Sequence, residues 1–377
     1  QPSFDYRRHW GPRDGDRVRV GFLSAFLGEH TIGRLTRGLI RHLSREQFHV
    51  AILAPSIPRS SFEGIVHRED ELVELGPRLD VALQRAAAAG LDVLFFPDVG
   101  MDPLTSTMAR TRLAPVQCVT WGHPVTTGMP TIDAFLSSRL LEPDDGAAHY
   151  SERLVQLDAL PCCYERPTLS GNPGGRAEFG LPDDRPVYLC PQNLFKLHPE
   201  FDELLGELLD RDRRGVVALI DPPFAHWKTL LLERWSETLK GRLDRVRFLG
   251  RLSREKFLRL LQTADVMLDP LHFGGGNTNY EAVALGVPVV TLPSPFLRGR
   301  VALGLYRRIG VDACIADSRE NYVETAIRIA NDSAAGESVR RQIRERCYVL
   351  YDNRDAVREF EQFLERPQLS APACGDR

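Results

Sequence analysis

The sequence predicts an α/β protein of two domains, each a parallel sheet covered by helices. Three observations carry this expectation. Short apolar runs alternate with helical segments along the chain, the pattern of strand–helix–strand units in a parallel sheet. The alternation breaks once, near 160–176, in LPCCYERPTLSGNPGGR, where three prolines and three glycines mark a linker, and then it restarts. A length of 377 residues also exceeds one ordinary core and favours two.

In the first half the strands are RVRVGFL (17–23), FHVAILA (48–54), DVLFF (92–96) and PVQCVTW (115–121). Helices lie between them, at Thr31–Leu43 and Arg78–Ala89. The second half restarts with PVYLC (186–190), after which Phe201, Leu204, Leu205, Leu208 and Leu209 recur at helical spacing and form one apolar face. Strands follow at GVVALID (215–221), RVRFLG (245–250), ADVMLD (264–269) and VPVVTL (287–292), with a short helix at 279–285. From Ser318 the chain is helical in character to near Pro367, and the tail QLSAPACGDR is expected to be disordered. The domains are thus read as 1–165 and 176–350, with a helix at 351–367 packing back on the first. Both halves are Rossmann-like, so a cleft is expected between them. Ligands in such sheets sit beyond the carboxyl ends of the strands.

Composition narrows the function. Hydrophobic residues make up 43% and charged residues 26%, as in a soluble globular protein. A net charge of −3 gives no argument for a nucleic-acid partner, and no apolar run approaches a membrane span. The N-terminal stretch lacks the apolar core of a signal peptide, so a cytoplasmic location is expected. Gln1 is not a natural start, which fits a piece of a longer protein. The seven cysteines follow no zinc spacing and are read as buried free thiols in a reducing compartment.

The most informative stretch is ADVMLDPLHFGGGNTNYEAVALGVPVVTL (264–292). Strand, glycine loop, helix and strand in that order can hold a phosphorylated ligand. Glycines let the backbone come close, and the first helical turn offers N–H groups and a positive dipole end. Gly275, Gly276, Asn277 and Thr278 would meet the phosphates, and Glu281 would accept from ribose hydroxyls. The same glycines can also make an ordinary tight turn, and neither common nucleotide motif is present.

Gln192, Asn193 and Lys196 end the strand at 186–190. The lysine suits a diphosphate and the amides suit phosphate or sugar oxygens, or Lys196 is a solvated surface lysine. After the strand at 245–250, Arg254 and Phe257 can flank a base while backbone groups at Arg251 and Leu252 read its edge. Ser253 can cap the helix there at the same time. In the first half, His30 lies between a strand and a helix as a general-base candidate or a structural histidine. His123, Pro124, Thr126 and Thr127 form a polar loop suited to sugar or acceptor contacts, or a plain surface turn. Asp98 ends another strand and either orients an acceptor or caps the next helix.

Taken in order, GEHTIGRL, RLAPVQCVTWGHPVTTGMPTID, PQNLFKLHP and GGGNTNYEAVALGVPVVTL resemble the catalytic region of the protein O-linked N-acetylglucosamine transferase family, which includes bacterial members and the plant SPINDLY-type enzymes. The resemblance runs from about Val18 to Pro367. It implies the GT-B fold, a nucleotide-sugar donor, inversion at the anomeric centre and no metal or other cofactor. It puts His30 at the proposed base position, Lys196 on the diphosphate, and Gln192 or Asn193 near the leaving oxygen. Arg254 and Phe257 then stand beside uracil, Gly276, Asn277 and Thr278 on the phosphates, and Glu281 on the ribose. Two departures stand out: animal members carry a histidine before two threonines where this chain has Gly276-Asn277-Thr278, and aspartate where it has Glu281. His123 likewise stands where tyrosine is common.

The expected function is therefore an inverting, metal-independent transfer of a sugar, N-acetylglucosamine first, from a UDP-sugar to a hydroxyl of a protein, glycan or small molecule. The rivals are a UDP-sugar 2-epimerase, which needs no acceptor, and a catalytically silent nucleotide-sugar-binding module. SPINDLY-type relatives use GDP-fucose, which keeps a GDP-sugar among the donors to be tested.

Overall fold

A computed structural model describes residues 15, 17–57, 62–169 and 174–365. The tail expected to be disordered, and Cys374 within it, lie outside the described residues, as does the middle of the 160–176 linker. The chain divides into two units, one of residues 1–165 with 352–377 and one of residues 166–351.

The first unit is a seven-stranded parallel sheet. Its strands are β1 (Val18–Leu23), β2 (Phe48–Ala54), β3 (Glu71–Glu74), β4 (Val93–Phe96), β5 (Val116–Thr120), β6 (Ala134–Ser138) and β7 (Arg153–Leu157). They lie in the order β3-β2-β1-β4-β5-β6-β7. Strand β1 pairs with β2 (Val20↔Val50) and with β4 (Val20↔Val93), so the winding reverses between β1 and β4. The crossovers carry helices α1 (Thr31–His42), α2 (Leu79–Ala88) and α3 (Pro103–Ala109). Strands β1, β2, β4 and β5 read clearly as apolar runs because both faces of a parallel sheet are covered.

The second unit has five parallel strands: β8 (Val187–Cys190), β9 (Val216–Ile220), β10 (Val246–Leu249), β11 (Val266–Leu268) and β12 (Val289–Val290). Their order is β10-β9-β8-β11-β12. Val266 pairs with Tyr188 and Met267 with Val289, which puts the reversal between β8 and β11. Helices α4 (Pro199–Arg211), α5 (Ala225–Thr238), α6 (Arg254–Thr263), α7 (Asn277–Ala284), α8 (Val301–Ile309), α9 (Arg319–Asn331) and α10 (Ser333–Arg346) cover this sheet. Helix α4 buries Phe201, Leu204, Leu205, Leu208 and Leu209, the face its periodicity marks.

The chain then returns to the first unit as α11 (Arg354–Glu365). Its buried residues Ala356, Val357, Phe360, Phe363 and Leu364 line one helical face. The Phe360 ring lies 5.2 Å from Phe95 and 6.1 Å from Phe22, in the core beneath the sheet. Polar ties fix the helix: Ser44 N–H donates to Glu361 Oε1 at 2.7 Å and Asp158 N–H to Glu359 Oε2 at 2.7 Å.

Among the described residues six cysteines are buried and free, and no helix is long and apolar enough to cross a membrane.

Candidate functional site

Gln192, Asn193, Lys196 and the glycine loop of the second unit gather where its winding reverses. The loop after β8 carries Gln192, Asn193 and Lys196, and the loop after β11 carries Gly274–Gly276 before α7. Adjacent strands bound for opposite sides of a sheet leave a crevice at their carboxyl ends. Lys196 bridges the two loops, its Nζ donating to Gly274 O at 2.8 Å and to Gln192 Oε1 at 3.1 Å. The ammonium also lies 4.4 Å from the centre of the Phe273 ring, a cation–π contact. Burial brings its pKa down to about 8, with the charge of Asp269 pulling the other way. It is therefore a half-buried lysine with internal partners rather than a fully solvated one.

Asp269, which the apolar run before it does not single out, holds the glycine loop. It is 2% exposed and accepts from Gly275 N–H (2.7 Å), Thr291 Oγ1 (3.0 Å) and Asn279 Nδ2 (3.3 Å). None of the three loop glycines has a positive φ, and at Gly274 and Gly275 it is space that a side chain lacks. A Cβ on Gly275 would stand 2.5 Å from Asn279 Oδ1 and 2.6 Å from Gln192 Nε2. Both of those atoms are buried without a hydrogen-bond partner. One on Gly274 would stand 2.6 Å from Asp269 Oδ2.

Helix α7 starts at Asn277, two residues earlier than the expected Asn279, because Gly276 takes the capping position. No side chain caps it and no acidic residue sits in its first turn. The positive end of the helix dipole is thus left for an external anion. Asn277 is buried and Thr278 half-buried beside it. Glu281, 4% exposed, meets Arg254 Nε at 3.5 Å across from α6. Helix α6 begins at Arg254, capped by Ser253, whose hydroxyl accepts from Lys256 N–H, and Phe257 sits half-buried one turn on. Arg251 and Leu252 lie just beyond the edge strand β10, with Arg251 exposed. Asn193 is exposed at the head of the Lys196 turn.

In the first unit, three loops meet at the corresponding reversal. Gly122 after β5 has no room for a Cβ, which would lie 2.3 Å from Pro97 O and 3.0 Å from Ile32 Cδ1. A Cβ on Gly100 would lie 2.9 Å from the His123 ring. The loops after β4 and β5 and the start of α1 are therefore packed together, with the His123 ring against Gly100.

His30 caps α1, with Nδ1 accepting the Ile32 N–H at 3.3 Å. Its ring lies 4.6 Å from Phe26. Burial and the nearby Arg34 charge lower its pKa, which favours the neutral ring. With the Nδ1 lone pair engaged, a neutral ring carries its proton on Nε2. In that form His30 can donate a hydrogen bond through Nε2.

Asp98 does not cap α3; Asp102 does, accepting from Thr105 N–H at 2.8 Å. Asp98 is 1% exposed and burial raises its pKa to about 6 against the Ser24 hydroxyl that donates to it, while Oδ2 has no partner. The Thr126 and Thr127 hydroxyls both donate to the buried Glu152, with Thr127 N–H adding a third bond at 2.7 Å. These bonds hold the loop, with His123 and Pro124 half-exposed beside it.

Comparison with known proteins bears on the family and the fold. Residues 172–358 match glycosyl transferase family 41. The chain is 28% identical over 354 residues to the UDP-glucose:protein N-beta-glucosyltransferase of Actinobacillus pleuropneumoniae serotype 5b, covering 89% of this chain and 54% of that protein. It is 25% identical over 345 residues to a probable UDP-N-acetylglucosamine–peptide N-acetylglucosaminyltransferase (SEC) of Arabidopsis thaliana, covering 87% of this chain and 34% of the other. The chain thus spans about half the length, or less, of these curated relatives. Among solved structures, a Thermobaculum terrenum O-GlcNAc transferase mutant superposes with a TM-score of 0.78 at 25% identity, over 99% of this chain and 70% of that one. Sucrose-phosphate synthase from Thermosynechococcus elongatus, at 16% identity, shares the fold with a TM-score of 0.60 over 94% of this chain and all of that one.

Proposed function

The chain is an O-GlcNAc-transferase-like protein of the GT-B fold, and on that premise we propose that it transfers a sugar from a UDP-sugar to a protein acceptor, inverting the anomeric centre without a metal. One observation carries the proposal: Lys196 Nζ joins the two loops at the β8/β11 reversal, beside the uncapped start of α7. That arrangement supplies one full positive charge and one helix end to a diphosphate.

In the reaction an acceptor nucleophile forms a bond to the anomeric carbon as the bond to the diphosphate oxygen breaks. Negative charge grows on the departing UDP. Lys196 and the first-turn N–H groups of α7 stabilise that charge as it develops, the kind of interaction that lowers a barrier rather than merely tightening binding. Glu281 accepts from the ribose hydroxyls, with Arg254 fixing its carboxylate, and Phe257 offers a face to the base. Gln192 Nε2, buried and lacking a partner beside Gly275, is placed to donate to a phosphate or sugar oxygen. In the first unit His30 orients the acceptor through Nε2, with His123 and Pro124 nearby on the acceptor side.

N-acetylglucosamine is the first choice of sugar. Glucose is a specific second reading, because the relative that is 28% identical over 354 residues carries UDP-glucose in its name.

The test is release of nucleotide from UDP-N-acetylglucosamine, UDP-glucose and a GDP-sugar, each with and without a peptide acceptor. UDP release that rises with acceptor, giving a product of inverted configuration by NMR, supports the proposal. An epimerised UDP-sugar formed without acceptor points to the 2-epimerase, and nucleotide binding without turnover points to a silent module.

A further inference from the structure

We propose that His198, Glu200 and His272 form a binding site for a single divalent transition-metal ion, Zn²⁺ being the natural occupant, separate from the transfer chemistry. Their ligand atoms all lie within 4.8 Å of one another. They come from two places far apart in sequence: His198 and Glu200 at the start of α4, and His272 in the loop between β11 and the glycines. His272 Nε2 lies 3.2 Å from Glu200 Oε2, and the two imidazole rings stand 4.7 Å apart at 77°. Two imidazoles and one carboxylate are a donor set that suits zinc. With metal–ligand distances of about 2.0–2.2 Å, ligand atoms around a tetrahedral ion stand roughly 3.3–3.5 Å apart. The observed spacing needs only small side-chain rotations to reach this.

The present neighbours of these groups say what an ion must displace. His198 Nδ1 accepts the Glu200 N–H at 3.3 Å, a long cap bond, and that contact yields if Nδ1 is the ligating atom. Arg319 pairs with Glu200 but also with Glu203 Oε2, at 2.9 Å, so its guanidinium has a second carboxylate to fall back on. His272 and Glu200 are 44% and 37% exposed, so an ion reaches them directly from solvent. The ligand on the loop immediately precedes Phe273, whose ring lies under the Lys196 ammonium. An ion here would therefore pin the glycine loop to the start of α4. The site itself does not depend on what that loop binds.

The experiment uses untagged protein, titrated with Co²⁺ as a visible-absorption probe and then with Zn²⁺ in competition, with no nucleotide present. The expected result is one equivalent of Co²⁺ bound with tetrahedral-type bands and displaced by Zn²⁺. His272→Asn, which suits the left-handed backbone at this position (φ 66°), should abolish binding with an unchanged circular dichroism spectrum. Arg319→Ala should tighten binding by removing the competing cation. Absence of stoichiometric binding, or binding that His272→Asn leaves unchanged, would overturn the proposal. Because activity is not the readout, failure here leaves the donor-site reading untouched, and failure of the donor-site reading leaves the metal site standing.

Discussion

Replacing Lys196 by alanine should lower turnover of the UDP-sugar about a thousandfold while leaving the fold intact. The ammonium is the only side-chain cation that the structure puts in both loops at the β8/β11 reversal among the described residues, through Gly274 O at 2.8 Å and Gln192 Oε1 at 3.1 Å. A unit charge about 4 Å from a phosphate charge, at an effective dielectric of about 20, is worth roughly 4 kcal/mol. Loss of a single pre-positioned donor in other active sites costs about 2.7–4 kcal/mol. At about 1.4 kcal/mol per decade, either figure gives roughly 10²–10³ in rate. Stability should change little. Two lost hydrogen bonds of about 1 kcal/mol each are offset by removing an ammonium that burial already disfavours, as its pKa of about 8 records. The assay is UDP release at saturating donor for the wild type, Lys196→Ala and the closer isostere Lys196→Met, with a melting curve for each. Turnover within tenfold of wild type, in variants that melt normally, would refute the role given to this lysine.

Three further outcomes are expected. Gly275→Ala must push a methyl group into Asn279 Oδ1 and Gln192 Nε2, so it should lower stability by about 1–3 kcal/mol and weaken UDP binding, read by chemical denaturation and calorimetry. Phe360→Ala should cost about 3–5 kcal/mol in the first unit, because its ring fills the core beside Phe22 and Phe95; denaturant midpoints measure it. Asp98 has a folded-state pKa raised to about 6 from 3.8, so between those values the native state binds a proton that the unfolded state has lost. This carboxyl on its own therefore contributes a fall in stability of roughly 3 kcal/mol as pH rises from about 4 to about 6. Asp98→Asn should flatten that fall when unfolding is followed from pH 4 to 7; an unchanged slope would contradict the assignment.

The parts of the fold legible in the sequence are those where the chain's local chemistry and its tertiary surroundings agree. Strands β1, β2, β4 and β5 are buried on both faces and read as apolar runs. Strands β3 and β7 are not legible because ELVE and RLVQL lie at the edges of the sheet and are half-exposed, so they carry no such run. Strand β6 (AFLSS) is fully buried, but its apolar run is only three residues long before two serines. At the site, Lys196 and the glycines stand out in the sequence because each follows a strand. The hold of Asp269 on the loop does not, since nothing local says that its carboxylate turns back to Gly275, Asn279 and Thr291. Nor does the sequence show that Thr126 and Thr127 bond to Glu152, some 25 residues on, or that His30 Nδ1 caps α1.

Calorimetric titration of the chain with UDP and with GDP asks directly whether the β8/β11 reversal binds a uridine diphosphate sugar. One UDP per chain and weaker binding of GDP are expected. Glu281→Gln should weaken UDP binding about 10- to 100-fold, the equivalent of one charge-assisted hydrogen bond of about 1.5–3 kcal/mol. No binding of UDP, a preference for GDP, or UDP binding indifferent to Glu281 would contradict the UDP-sugar reading.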